Sequence, residues 1–243
     1  TSQSTTAQFG QSRGRRSLRQ AIKHKNLGTL CKKNAGRYKR IRKRPQQQPC
    51  AETYAYKVEA LAELERLSKL TLIDLYYGDE SRVCMEPCVP YGWQFKDEDV
   101  FMPSAKGKSL NCFGLLSRDN RLHFKTTTGR VNSDFVLEQL EHLAFSIKKV
   151  TVIVLDNAPI HTAKKIHARR KFWEARGLFL FYLPPYSPHL NIIETLWRKL
   201  KYEWLRPEDY ASEQHLFYAT SLALASVGNA LIINFSDLSF GLT

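Results

Sequence analysis

Two acidic side chains follow apolar runs that are typical of buried strands. Asp156 comes directly after residues 150–155, a continuous β-branched run. Glu194 comes after a second run, residues 178–183, in the first turn of a helix predicted to begin near Asn191. Open α/β sheets place their sites at the carboxyl ends of strands, so these spacings predict that the two carboxylates face each other. Taken alone, each acid also fits an ordinary turn or helix start.

A third carboxylate strengthens the prediction. Asp79 follows another strand-like run, residues 70–77, and Asp74 is the alternative if that strand ends earlier. Glu80 would point to the opposite side of an extended chain, so it is left out of the predicted metal set. Three carboxylates at one edge repel each other unless a cation lies between them, and Mg²⁺ prefers hard oxygen ligands. The chemistry that this indicates is metal-assisted displacement at phosphorus.

The elements that would position these acids can be predicted from periodicity and turn residues. Residues 82–89, 109–116 and 122–127 are predicted to be antiparallel neighbours of the first strand. Helices are predicted at residues 52–70, 134–147 with Ser133 as cap, 162–176 ended by Gly177, and 212–227. The order is a strand meander, then helix, strand, helix, strand and helix, which indicates an α/β fold.

Four ordered sequence blocks resemble the catalytic core of DDE transposases, and specifically the bacterial insertion-sequence branch of the mariner-like superfamily. The resemblance covers residues 37–235. The blocks are Gly78-Asp79-Glu80, Pro90-Tyr91-Gly92-Trp93, residues 155–161 (LDNAPIH) and residues 186–194 (YSPHLNIIE) with Trp197. This chain departs from the family at His189, where Asp is usual, and at Ile192, where Pro is usual. Neither position is a catalytic carboxylate.

The resemblance implies a ribonuclease H-like α/β fold, in which a three-strand antiparallel meander plus two parallel strands form a mixed sheet flanked by helices. It implies that Asp79, Asp156 and Glu194 are the catalytic residues and hold Mg²⁺ or Mn²⁺, as two ions. The implied activity is phosphodiester hydrolysis at element ends, followed by strand transfer into target DNA. The implied partners are the terminal inverted repeats, the target DNA and a second copy of the chain.

Two other function classes stay open. One is a metal-dependent nuclease or resolvase of the same fold, which hydrolyses DNA without joining it. The other is a truncated, catalytically idle DNA-binding remnant. The same three carboxylates would serve a nuclease and a transposase, so the sequence does not separate them.

Basic charge is concentrated in the first fifth of the chain. Residues 1–51 contain fourteen Lys and Arg and no acid, which leaves 23 basic residues (37 − 14) against 23 acidic ones in the rest. Such a segment is suited to phosphate contact, although a solvated tail or a nuclear-localisation-like cluster has the same composition. The predicted DNA-binding residues are Arg37, Lys39, Arg40, Arg42, Lys43 and Arg44, together with Arg198 and Lys201 on the helix of Glu194.

The predicted organisation has four parts. Residues 1–48 form a basic arm, a possible remnant of a helix-turn-helix module, and residues 49–69 form a linker helix. Residues 70–206 form the catalytic domain, and residues 207–243 form a helix and tail that pack on it. No run has the length of a membrane span, and the five cysteines are odd in number and fit reduced thiols, so a soluble intracellular protein is expected. The cysteines show no zinc-binding pattern. The resemblance implies that the compartment is the bacterial cytoplasm, in association with the nucleoid.

Three further residues near the predicted site have their own expected roles. His161 is expected to make a structural hydrogen bond, and Trp197 is expected to pack in the core rather than stack on a base. Glu203, on the same helix as Glu194, is the first replacement to consider if Glu194 does not complete the site.

Overall fold

The computed structural model describes residues 50–88, 96, 99, 101 and 103–236, which lie in one compact unit, Gln47–Thr243. In this part of the chain, five strands form one mixed sheet in the order β3-β2-β1-β4-β5. The strands are β1 (Asp74–Cys84), β2 (Ser109–Leu116), β3 (Leu122–Thr127), β4 (Thr151–Leu155) and β5 (Leu178–Tyr182). Strands β1, β2 and β3 are antiparallel neighbours, whereas β4 runs parallel to both β1 and β5. The predicted meander with two added parallel strands is confirmed.

Helices cover both faces of this sheet. They are α1 (Ala51–Lys69), α2 (Ser133–Ser146), α3 (Lys164–Ala175), α4 (Ile193–Lys199) and α5 (Glu213–Ala225). A 3₁₀ turn (Pro188–Leu190) precedes α4, and a π-helical turn (Leu200–Trp204) continues it. No helix among the described residues has both the length and the apolar character needed to cross a membrane.

Most predicted helix ends lie within two residues of the observed ones, and the caps explain the differences. The cap of α2 is Asn132 rather than Ser133, because the Asn132 side chain accepts hydrogen bonds from the backbone N–H groups of Asp134 and Phe135. Gly177, just past the end of α3, has φ of 89°, a left-handed conformation that glycine adopts without a steric penalty.

The predicted bounds of the first strand are wrong. After α1, Thr71 has φ of 58°, and residues 70–73 form a turn that exposes Leu70 and Leu72. The strand begins at Asp74 and continues to Cys84, so residues 82–84 belong to it rather than to a separate segment at 82–89. The reason is a long-range partner: β4 pairs with β1 only as far as Tyr77, whereas β2 pairs with it through Cys84. Asp79 therefore lies within a strand, not beyond its end.

The sheet is the middle of three layers. On one face, the core contains Leu61 of α1, Trp197 of α4 and Leu216 of α5. On the other face, it contains Leu140 of α2 and Trp173 of α3. Because both faces of β4 are covered, all five of its residues are buried, which explains its continuous apolar sequence. Trp197 is 3% exposed and has the packing role expected of it.

Candidate active site

A cavity of about 370 Å³ lies at the edge of the sheet where β4 and β5 end. Its lining includes Asp79, Asp156 and Glu194, which come from β1, from the residue after β4 and from the first turn of α4. The other lining residues are Asn157, Ala158, residues 183–188 and Asn191. The structure thus places the three predicted carboxylates around one cavity. Their catalytic role stays a prediction.

Asp79 reaches the cavity because β1 continues past its pairing with β4. The last paired residue is Tyr77, and Asp79 lies two positions further, on the same face of the strand. Between them, Gly78 permits close packing, since an added Cβ would come within 2.6 Å of the Leu155 side chain. Asn191 donates a hydrogen bond to the Gly78 carbonyl (3.1 Å) and so ties the segment before α4 to β1. This bond brings the start of the Glu194 helix next to Asp79.

The carboxylates of the cavity act on each other electrostatically. Burial raises the pKa of Asp79 to about 7, with further contributions from the negative charges of Glu80, Glu194 and Asp156. Burial also raises the pKa of Glu194. The positive charge of Lys201 lowers this pKa, and the negative charge of Asp156 raises it further. The indole N–H of Trp197 donates to Asp79 Oδ2 (3.2 Å). The cavity therefore concentrates negative charge that a cation would stabilise.

Asp156 is held in a different way. Its Oδ1 accepts hydrogen bonds from the backbone N–H of Ala158 (2.9 Å) and from Nδ1 of His161 (2.7 Å). The bond from His161 is the main reason why the pKa of Asp156 is lowered. The structural hydrogen bond expected of His161 is present.

His161 is fully buried, and its second ring nitrogen also meets a carboxylate. Nε2 lies 3.2 Å from Oε2 of Glu80, an ion-pair distance without hydrogen-bond geometry. Burial alone would lower the pKa of His161, but Asp156 and Glu80 raise it to about 9, so the ring is charged at neutral pH. Glu80 does point away from Asp79, as predicted. Its partner on the other face was not predicted from the sequence, although strand alternation together with a His five residues after Asp156 was the signal for it.

The two alternative acids lie away from the cavity. Asp74 is five residues before Asp79, about 17 Å along the strand, and forms ion pairs with Arg121 (2.8 Å) and Lys149 (3.1 Å). Glu203 is paired with Lys199 (2.6 Å) and lies 3.4 Å from Arg198. Neither acid is among the residues that line the cavity.

Of the predicted DNA-binding residues, two lie close to the carboxylates. Arg198 has a side chain that is 60% exposed and lines a second cavity of about 390 Å³, which shares Asn191 and Glu194 with the first. Lys201 is close enough to Glu194 to affect its pKa. The others, Arg37, Lys39, Arg40, Arg42, Lys43 and Arg44, lie outside the described residues, as does the block Pro90-Tyr91-Gly92-Trp93.

The donor chemistry of the cavity fits a hard divalent cation. Within residues 50–88 and 103–236, no three His, Cys, Asp or Glu side chains are grouped closely enough to hold one ion. The three cavity acids nevertheless offer only oxygen ligands, and two of them have pKa values raised by burial and by neighbouring negative charge. A bound cation would remove that penalty, and Asp156 and Glu194 are both exposed to solvent at the cavity.

Comparisons with known proteins support this description. A family model described as "DDE superfamily endonuclease" matches residues 74–216, more than half of the chain. The fold is similar to that of the Mos1 transposase paired-end complex with left transposon end, with a TM-score of 0.53 and 12% identity over 93% of this chain and 74% of that one. The Mos1 mariner paired end complex with Mn gives a TM-score of 0.54 and 13% identity over the same shares. No curated protein matches this chain significantly. The mixed sheet flanked by helices is the ribonuclease H-like fold of transposase cores.

Proposed function

The chain belongs to the DDE superfamily endonucleases, and from this premise we propose that it is a DNA transposase that cleaves element ends and joins them to target DNA. The observation that carries this proposal is the cavity in which Asp79, Asp156 and Glu194 meet from three separate elements. Family membership supports a polynucleotidyl transferase and endonuclease. It does not favour an idle DNA-binding remnant.

Asp79, Asp156 and Glu194 would hold two Mg²⁺ or Mn²⁺ ions. When bound, such ions activate the attacking oxygen and stabilise the leaving oxygen of an in-line displacement at phosphorus. The attacking oxygen comes from water in the cleavage step and from the freed 3′-hydroxyl in the joining step. In each step one P–O bond forms and one breaks, so one set of carboxylates serves both reactions.

The residues of the chain orient these carboxylates rather than attack the DNA. Trp197 holds one oxygen of Asp79, and the N–H of Ala158 holds one oxygen of Asp156. His161 is not placed to act as a general base on the substrate, because its ring is buried and both nitrogens face carboxylates. Lys201, whose charge acts on Glu194, would attract a DNA phosphate toward the cavity.

The proposed partners are the terminal inverted repeats of an element and a target DNA. The fourteen basic residues of the segment 1–51 support binding to a phosphate backbone, and exposed Arg198 would extend that contact to the cavity. A homodimer in the DNA complex is part of the proposal, because the matched Mos1 structure is a paired-end complex and two ends call for two sites. Membership of the bacterial insertion-sequence branch, with action at the nucleoid in the cytoplasm, rests on the sequence blocks alone.

A matched pair of variants on α4 and its continuation tests the site. Purified proteins are incubated in Mg²⁺ with a supercoiled plasmid that carries the DNA flanking the coding sequence, and nicking is measured. Glu194→Gln keeps the shape of the side chain and removes its charge, so nicking should fall by roughly a hundred- to a thousandfold. Glu203→Gln, the control, should stay close to wild type because Glu203 is paired with Lys199 outside the cavity. Nicking by Glu194→Gln within about tenfold of wild type would mean that another acid completes the site.

A further inference from the structure

The side chain of Asp156, a proposed metal ligand, is exposed and is oriented by only a few contacts. It follows the last residue of β4, and its side chain is 51% exposed. Both hydrogen bonds that it accepts fall on Oδ1, from Ala158 and from His161. With Oδ1 held in this way, Oδ2 is the oxygen left to face the cavity. The orientation of Asp156 thus depends on what fixes the ring of His161.

Contacts of both its backbone and its ring hold His161 in place. Its backbone N–H donates to the Ala158 carbonyl (2.9 Å), and its carbonyl accepts from the hydroxyl of Tyr182 on β5 (2.8 Å). The ring is completely buried, with Phe113 of β2 nearby at a centroid distance of 6.3 Å. Its Nε2 faces Glu80 Oε2 at 3.2 Å. Turning the ring would leave a buried polar group without its partner, which is costly.

Glu80 reaches His161 because side chains alternate between the two faces of a strand. Adjacent residues of β1 point to opposite faces of the sheet, so Asp79 faces the cavity and Glu80 faces the side of α3. Strand β1 therefore provides Asp79 to the cavity and, at the next residue, Glu80, which supports Asp156 after β4 through His161.

From this geometry we infer that Glu80 and His161 are a positioning pair: Glu80 orients His161, and His161 orients Asp156 for metal binding. The inference rests on the proposed function, in which Asp156 is a ligand. Residues that orient ligands commonly change metal affinity or activity by about 10- to 100-fold when they are removed. Neither Glu80 nor His161 is among the residues that line the cavity, so the pair orients the site through Asp156.

The purely structural alternative is that the pair stabilises the fold and nothing more. Mn²⁺ affinity of the full-length folded protein, measured by calorimetric titration below the melting transition of each variant, separates the two. Glu80→Ala and His161→Ala should each weaken Mn²⁺ binding by about 10- to 100-fold. The double variant should lose less affinity than the product of the two single losses, because the Glu80 side chain contacts the His161 ring, although its charge also acts on Asp79.

Two further substitutions test the two contacts of the His161 ring separately. The amide nitrogen of Asn takes the place of Nδ1, so His161→Asn keeps a donor for Asp156 and should recover most of the affinity lost in His161→Ala. The amide of Gln takes the place of Nε2, so His161→Gln keeps the reach to Glu80 and should not recover it. If the alanine variants do not fold, this comparison decides the question by itself, since both substitutions keep a polar group at the buried position.

Several results would overturn the inference. If folded Glu80→Ala and His161→Ala bind Mn²⁺ as tightly as wild type and differ only in a lower melting temperature, the pair has a purely structural role. Losses that multiply in the double variant would show that Glu80 acts on the cation independently. Asp156→Asn tests the proposed function separately. If it loses Mn²⁺ while the two alanine variants keep it, only the positioning pair fails, whereas unchanged binding by Asp156→Asn removes Asp156 as a ligand. Glu203→Gln is the control that should match wild type.

Discussion

Replacing Asp79 with Asn should stabilise the metal-free protein at pH 8 and at the same time abolish DNA cleavage. In the folded protein, burial and the nearby acids raise the pKa of Asp79 from 3.8 to about 7. The folded state therefore binds this proton more tightly than the unfolded chain does. The stability that the proton provides is present below about pH 4 and is lost as the pH rises toward 7. Asn carries no charge at any pH, and its side-chain oxygen still accepts the hydrogen bond from Trp197.

The size of the effect follows from the two pKa values. At about 1.4 kcal/mol per pH unit, the difference between 3.8 and about 7 gives a ceiling of about 4 kcal/mol. The cavity is open to water, which screens the charges, so about 1–2 kcal/mol is expected at pH 8. For a domain of this size, this gain corresponds to a rise in melting temperature of roughly 2–8 °C.

Thermal unfolding of wild type and Asp79→Asn, measured without divalent metal from pH 4 to pH 8, checks this expectation. The gain should shrink toward zero as the pH falls to 4. Asp74→Asn on the same strand is the matched control with the opposite sign. Burial alone would raise the pKa of Asp74, but Arg121 and Lys149 lower it overall, so its stabilising contribution is present above the unfolded pKa and is lost only in acid. Asp74→Asn should therefore destabilise the protein at pH 8. A metal-free Asp79→Asn protein that is no more stable than wild type at pH 8 would refute the electrostatic account of the cavity.

Three other predictions concern the metal and the DNA. Mn²⁺ should raise the melting temperature of wild type by mass action and should not raise that of Asp156→Asn; an equal rise in both would exclude Asp156 as a ligand. Deleting residues 1–46, which contain all fourteen basic residues of the N-terminal segment, should weaken DNA binding and flatten its dependence on salt. An unchanged slope of log affinity against log salt would show that this segment does not contact the phosphates. Arg198→Ala should weaken binding to all DNA sequences alike and lower the slope of log affinity against log salt by about one. A wild-type slope would show that Arg198 does not contact the DNA phosphates.

The parts of the fold that the sequence predicts well are those whose signals are local. Strands β4 and β5 are buried and end at clear turn residues, so their bounds and the position of Asp156 follow from the chain itself. Helix α1 is likewise predicted within a residue at each end. The segment 70–73 is apolar yet mostly exposed, so its sequence wrongly indicates a strand. The true extent of β1 is set by its pairing with β2, 25 or more residues away along the chain.

The site shows the same division between local and long-range information. Three carboxylates could be proposed from their order along the chain, since each follows a strand-like run. The contact between Glu80 and His161 could not, because it joins residues 81 positions apart and depends on β1 and β4 being neighbours in the sheet. The residues of the predicted basic arm lie outside the described part of the chain, so their role in DNA contact stays a prediction.

The joining reaction tests the central claim most directly. A labelled DNA end with a free 3′-hydroxyl, taken from the sequence that flanks the gene, is mixed with full-length protein, Mg²⁺ and an unlabelled target plasmid. If the chain is a transposase, wild type transfers the label covalently to the plasmid, and Asp79→Asn, Asp156→Asn and Glu194→Gln do not. If wild type cleaves the intact element ends in parallel reactions but leaves the plasmid without label, the chain is a nuclease and the claim of transposition is contradicted.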